Sequence, residues 1–335
     1  MKRFNVPTLS PKLTAGLAAG ATALTMAACS SGTPGGGAAA TEATGTEGPI
    51  TIGFSPMNQS APALIGLTQG LQALAGEEGD EVLVADPNND PATQVQQVTA
   101  WIDNQQVDAI WFLAINAESM APVVERAQAA GIPVIALGVP ADYGYDAPAP
   151  GVSFSTIDYE AYGAALGENL ATCVNDRLGG QAQVVFLQDP AGAVGSDVAA
   201  EAFKSALAEG APDAEIVSTI DNGLDRLVSQ NNTQSALQAN PDANVFAAQN
   251  DEATLGALGA LNQAGKDPSQ LCVGGTGGND EVLASVESGD LYTVVALQFD
   301  QDLQQKVAHL KEMAADPTAE GTQLTVPMDV ATADQ

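Results

Sequence analysis

From position 50 onward, short apolar runs alternate with segments whose apolar residues recur every three or four positions. The runs 50–54, 82–85, 109–115, 133–137 and 152–157 have the length and composition of buried strands. A second train of runs follows at 182–187, 215–220, 244–248 and 271–275. Between them the period changes. In 90–107, Val95, Val98, Trp101 and Ile102 share one helical face, and Asp90 followed by Pro91 supplies a cap and a first-turn proline. Strand starts spaced by about thirty residues fit one βα unit each. The pattern predicts an α/β protein with two doubly wound, parallel-sheet domains. In such sheets solutes sit beyond the carboxyl ends of the strands, so the loops after the strands are where function is sought.

Before position 50 the pattern is different. Lys2, Arg3 and Lys12 precede the 16-residue apolar stretch 13–28, which is short for a membrane span. It ends in Met26-Ala27-Ala28-Cys29, which resembles a bacterial lipoprotein signal with Cys29 as the lipidated first residue; ordinary secretion with cleavage nearby is the alternative. The segment 30–48 is Ser, Gly, Thr, Ala and Glu with a single Pro34, without apolar periodicity, a flexible tether. An extracytoplasmic protein anchored by lipid to the cell membrane is the expectation.

Charge narrows the partners. The 335 residues carry 10 basic against 41 acidic side chains, a net charge of −31, which becomes −34 once the leader and its three cations are gone. Nucleic acid is excluded as a partner, because phosphate neutralisation needs clustered cations. Setting Cys29 aside leaves Cys173 and Cys272 in an oxidising compartment, where a single disulfide or two separate buried thiols both fit; the bridge is the expectation. The single histidine, His309, has no nucleophile beside it in the pattern, and no cofactor motif or metal cluster emerges, so the chain is not read as an enzyme. The glycine run at 274–278 lacks the Lys-Ser or Lys-Thr of a phosphate loop. Trp101 and Trp111 read as core, one on the helix stripe and one in a strand.

Four segments carry a family resemblance. The stretch Val245-Phe246-Ala247-Ala248-Gln249-Asn250-Asp251-Glu252-Ala253-Thr254-Leu255-Gly256-Ala257-Leu258 resembles the strand-to-helix signature of bacterial sugar-binding proteins of the ribose-binding type, the type I periplasmic binding proteins. Gly131-Ile132-Pro133-Val134-Ile135 is similar to that family's fourth strand, Leu224-Asp225-Arg226 to the start of a helix in its second domain, and Gln298-Phe299-Asp300-Gln301 to its return crossover. The resemblance implies a substrate-binding lipoprotein of an ABC importer, monomeric, with two lobes joined by three crossovers near Asp158, Gln298 and Gln323. The implied division is 1–28 leader, 29–48 tether, 49–157 plus 299–322 as the N-terminal lobe, and 158–298 plus 323–335 as the C-terminal lobe. A sensory receptor of the same fold is the alternative role.

The family's ligand residues are largely replaced. Ala61 and Pro62 stand where aromatic residues would stack on the sugar, Gly138-Val139 replaces an Asp-Arg pair, Asp197 stands at an arginine position and Thr276 at an aspartate. Asn250 remains, with Gln298 or Leu297 at the final position. Loss of the arginine forks leaves amides, carboxylates and hydroxyls, which suits a small neutral sugar or polyol rather than an anion. The expected ligand set is Asn58, Gln59, Asn116, Tyr143, Asp197, Asn250, Thr276, Asn279 and Gln298, with Asp189 and Ser196 also near the expected cleft. Tyr143 and its neighbour Tyr145 are candidates to replace the missing stacking surface. Asn58, Asp189 and Asn279 lie near helix starts, where short polar side chains also serve as caps.

Overall fold

The computed structural model describes residue 46 and residues 48–333. The leader, Cys29 and nearly all of the tether lie outside the described residues.

In the first lobe, β1 (Thr51–Ser55), β2 (Glu81–Val84), β3 (Ala109–Phe112), β4 (Val134–Leu137) and β5 (Val152–Thr156) are parallel and lie in the order β2-β1-β3-β4-β5. The helices α1 (Pro62–Glu78), α2 (Pro91–Asp103) and α3 (Ala117–Ala129) connect them. Successive strand residues point to opposite faces, and both faces are covered, which is why these strands read as continuous apolar runs. Ile52, Phe54, Trp111 and Ile135 pack under α1 and under the late helix α9 (Phe299–Ala315), whereas Ile110, Phe112 and Phe154 pack under α2 and α3. Phe54, Phe112 and Phe154 are fully buried, each contributing about 1.5–3 kcal/mol by area removed from water. Trp101 and Trp111 are both core, on opposite faces of this sheet.

The second lobe repeats the plan. Here α4 (Tyr159–Leu178) leads into β6 (Gln181–Gln188), α5 (Ser196–Gly210), β7 (Asp213–Asp221), α6 (Arg226–Ala239), β8 (Val245–Ala248), α7 (Asp251–Gln263), β9 (Cys272–Gly277), α8 (Asp280–Glu287) and β10 (Thr293–Leu297). The order is β7-β6-β8-β9-β10, with β12 (Met328–Thr332) antiparallel on the far edge. Helices α4 and α5 cover one face and α6, α7 and α8 the other. The α4–α5 contact is close because it is built on glycines: a Cβ at Gly163 would lie 2.0 Å from the Ala199 carbonyl oxygen, and one at Gly167 2.5 Å from that of Phe203. Cys173 of α4 and Cys272 at the start of β9 form a disulfide buried within this layer.

Three chain segments join the lobes, all leaving from the carboxyl ends of strands. The first runs from β5 to α4 through Ile157 and Asp158, the second from β10 to α9 through Gln298, and the third through Val326 and Pro327. Backbone hydrogen bonds lay them side by side: Val326 N donates to Thr156 O at 3.0 Å and Gln298 N to Pro327 O at 2.8 Å. The third crossing comes later than Gln323, where the sequence places it. Gln323–Thr325 forms β11, paired with Phe154–Thr156 in the first sheet, and Leu324 is buried in that lobe's core. As short edge strands with half-exposed residues, β11 and β12 carry no continuous apolar run. The helix read over 90–107 ends at Asp103, and the strand read over 109–115 ends at Phe112.

Candidate functional site

Strand order reverses between β1 and β3 in the first sheet and between β6 and β8 in the second. At such a switch point the following loops diverge and leave a crevice beyond the strand ends.

In the first lobe this crevice is filled from within. Gln94 of α2 is fully buried; its Nε2 donates to Leu113 O at 2.9 Å and to Ser55 Oγ at 3.2 Å, and its Oε1 accepts from Ile115 N at 2.9 Å. The candidates around it are engaged in holding the loops. Asn58 Oδ1 accepts from Ser60 N, Ser60 Oγ and Ala61 N at 2.8–2.9 Å, and its Nδ2 donates to Asn89 Oδ1 at 3.1 Å. Gln59 turns back onto α1, donating to Thr68 Oγ1 at 2.7 Å. Asn116 caps α3 by accepting from Ser119 N at 2.7 Å. Tyr143, expected on a solute-facing loop, is instead core: it is 2% exposed, packs on Phe112 and Phe154, and donates to Leu137 O at 2.5 Å. The apolar ring is drawn inward because the short 3₁₀ turn Pro140–Tyr143 aims it at the sheet. Tyr145 likewise packs on Phe154.

The second lobe gathers polar side chains around an opening. The loop after β6 carries Asp189, whose Oδ1 accepts from Asn222 Nδ2 and Asn250 Nδ2, both at 2.6 Å. Asn250 thereby does two jobs, since its Oδ1 also caps α7 by accepting from Ala253 N at 2.8 Å. Fully buried Asn222 likewise accepts from Leu224 N at 2.8 Å, holding Leu224 at φ +53°, a left-handed conformation costly for a residue with a Cβ. Burial pushes the Asp189 carboxyl above its ordinary range, against the two amides that favour its charged form. Behind it lies a half-open cavity of about 40 Å³, lined among others by Tyr159, Tyr162, Ser196, Gln249 and Thr276. The cavity wall depends on Gly195, at φ +73°, because a Cβ there would lie 2.2 Å from the Tyr159 ring.

The remaining candidates divide around this cavity. Thr276 lines it. Asn279 sits at the exposed start of α8, capping Val282 N at 2.9 Å, and is joined to the α7 start because its backbone N donates to Asp251 Oδ2 at 3.2 Å. Asp197 is exposed in the first turn of α5. Gln298 lies in the second crossing, its side chain reaching only Ala296 O at 3.4 Å. Of the basic residues, Arg226 stands at this edge of the sheet, clamped by Glu252 at 2.7 Å and Glu281 at 2.9 Å. Sequence patterning passes over Asn222, Gln249, Tyr159 and Tyr162; the Asn222-Gly223 pair directly after a strand is the one local signal for a side chain that shapes a loop.

Comparison with known proteins gives a consistent answer. Residues 52–310 match the family model described as the periplasmic binding protein domain. The ribose import binding protein of Bacillus subtilis (strain 168) is 30% identical over 254 residues, 76% of this chain and 78% of that protein. The xylitol-binding protein of Mycolicibacterium smegmatis is 29% identical over 283 residues, 84% of this chain and 74% of that one. An ABC transporter periplasmic solute-binding protein of Actinobacillus succinogenes, solved with bound D-allose, superposes with a TM-score of 0.68 at 22% identity, covering 86% of this chain and 98% of that one.

Proposed function

The chain belongs to the periplasmic binding protein domain family, and from that premise we propose that it captures a small neutral sugar or polyol between its lobes and delivers it to an ABC importer. The observation that carries this reading is the second-lobe cavity, where polar side chains from the loops after β6 and β8 and from the end of β9 converge. Relatives named for ribose and xylitol support this solute class. Asn250, Thr276, Asn279, Asp197 and Gln298 are the candidate ligand groups, because they stand on the second lobe's open edge or in a crossing. Asn58, Gln59 and Asn116 support the reading less, since their side chains already hold loops together.

Capture would proceed by closure of the lobes about the three hydrogen-bonded crossings, a hinge motion of the kind seen in periplasmic binding proteins. Closure excludes water, which strengthens each hydrogen bond to the solute. No chemical step is involved in this role. The protein would act as a monomer held at the membrane by a lipid on Cys29, with the tether 30–48 giving it reach.

Titration calorimetry with ribose, xylitol and D-allose tests the solute class. Binding of at least one of them, changing little between low and high salt, is expected, because a neutral solute carries no charge for ions to screen. Tighter binding of ribose 5-phosphate or an organic acid would overturn it. Separately, Cys29→Ala in the native host should move the protein out of the membrane fraction, and unchanged retention would remove the lipid anchor.

A further inference from the structure

The second lobe contains a carboxylate whose hydrogen bonding is half complete. Asp189 Oδ1 is held by two amides at 2.6 Å, whereas Oδ2 has no hydrogen-bond partner among the described residues. The side chain is fixed in place from its backbone as well. Asp189 N donates to Gln249 Oε1 at 2.8 Å, Gln249 Nε2 donates to Ser196 O at 3.0 Å, and Ser196 Oγ donates back to Asp189 O at 3.2 Å. This closed ring of bonds joins the β6 loop, the α5 start and the β8 end, so the free oxygen is presented by a rigid frame rather than by a mobile loop.

A second, independent group belongs to the same cavity. Thr276 is 3% exposed, and its Oγ1 is a buried polar atom without a hydrogen bond, although the residue lines the cavity. A buried hydroxyl left without a good hydrogen bond is destabilising, so a solute oxygen that completes its pairing is favoured. In the cavity, then, an acceptor lacking a donor and a buried hydroxyl that has only the Tyr162 hydroxyl beside it, without a well-formed bond, share one small space, with Tyr159 and Tyr162 as the aromatic walls. The space is about 40 Å³, room for roughly three water-sized groups at 10–15 Å³ each. That is the end of a solute and not a whole sugar ring.

Resting on the sugar or polyol reading above, we propose that this cavity takes the terminal hydroxymethyl group of the solute, with Asp189 Oδ2 accepting its hydroxyl proton and Thr276 Oγ1 pairing with the same or the adjacent oxygen. Asp189 is then a specificity residue. An ionised carboxylate can only accept hydrogen bonds, so a hydroxyl satisfies it and a solute ending in a carboxylate or phosphate presents it with another acceptor and a like charge. Among the described residues, no basic side chain lines the cavity to offset that repulsion. Asp221 and Asp251 stand on the same edge, and Arg226 is already bound on both sides by Glu252 and Glu281. The cavity would therefore accept the reduced or neutral end of a polyhydroxylated solute and refuse its oxidised or phosphorylated counterpart.

The test is calorimetric titration of the mature chain and of Asp189→Asn and Thr276→Val, using ribose, xylitol and D-allose beside two anionic counterparts, xylonate and ribose 5-phosphate. Wild type should favour a neutral solute over its anionic counterpart by more than about 100-fold. Asp189→Asn should weaken the neutral solute by about 10–100-fold and shrink that preference, and Thr276→Val should weaken it by about 3–30-fold, consistent with loss of one hydrogen bond to a buried group. Ligand-free melting curves establish that each variant is folded, and Thr276→Val decides the matter if Asp189→Asn does not fold. Should wild type bind none of the three neutral solutes, the sugar reading falls and this assignment with it. Should wild type bind one of them and both folded variants retain its affinity and its discrimination, this assignment alone falls. Equal affinity of wild type for xylitol and xylonate would likewise overturn it.

Discussion

The two lobes share a strand order and a switch point, yet they use that point in opposite ways. In the first lobe a buried glutamine from a covering helix, Gln94, bonds across the ends of β1 and β3, and the loop amides Asn58, Gln59 and Asn116 are engaged in turns, returns and caps. In the second lobe the amides Asn222, Gln249 and Asn250 are also engaged, but what they hold is a carboxylate with an oxygen to spare. The lesson concerns valence rather than residue type. A polar side chain at a strand end becomes a recognition group only through atoms that remain after the local backbone has been satisfied: in the first lobe these are Gln59 Oε1 and Asn116 Nδ2, single atoms of loop-holding amides, and in the second an oxygen of a half-buried carboxylate held by two amides.

The comparison can be sharpened most strongly through the disulfide, which only the second lobe has among the described residues. Reduction of Cys173–Cys272, which closes a loop of 99 residues, should lower stability by about 3–5 kcal/mol in urea unfolding. Hydrogen exchange should quicken in α4 and β9 and leave α1 to α3 as they were; equal quickening in both lobes would mean that the lobes do not hold together separately. A smaller effect separates loop-holding from recognition. Asn58→Ala removes four hydrogen bonds from one loop and should cost about 1–3 kcal/mol of stability with less than about threefold change in solute affinity, whereas Asn250→Ala, which releases Asp189, should weaken binding by about 10–100-fold. Calorimetric melting and titration on both variants read the two quantities, and a reversed pattern would break the contrast.

The smallest effect lies in the first lobe. His309 of α9 is held below its ordinary pKa by burial, with Glu312 pulling the other way, and its Nε2 lies 2.8 Å from Ser153 Oγ of β5. As pH falls, the unfolded chain takes up the proton first, so stability present above about pH 6.5 is lost as pH drops toward the lower folded-state value. Urea midpoints at pH 7.5 and about 5.5 should show this loss, and His309→Gln should reduce it. An unchanged slope in the variant would assign the pH dependence to other groups.

How much of this was legible in the sequence follows from the same physics. Strands buried on both faces are continuous apolar runs, so β1, β3 to β6, β8 and β9 could be read directly, and the edge strands β2 and β7 are found by their spacing; β10 is such a buried run as well but is not among those picked out, whereas β11 and β12, exposed at the sheet edges, carry no such run. The helix starts at Asn116, Asn250 and Asn279 are marked by residue type, but a cap and a ligand group look alike in one dimension. Whether Asn250 has a hydrogen to give depends on Asp189, 61 positions away. Tyr143 shows the limit plainly, since an aromatic residue in a polar loop says nothing about which way its ring turns. Asn222 and Tyr159 become informative only when α4, β6 and β7 are brought together.

Both tryptophans of the chain, Trp101 on α2 and Trp111 on β3, lie in the first lobe, on opposite faces of its sheet. The second lobe has no tryptophan, and its tyrosines are Tyr159, Tyr162 and Tyr292. Indole fluorescence is therefore a reporter with a built-in address. Followed beside circular dichroism, which sees both sheets, it would reveal lobe-by-lobe unfolding as two transitions that fail to coincide. Neither indole lines the second-lobe cavity, so a change of emission on binding would report closure of the first lobe onto the solute.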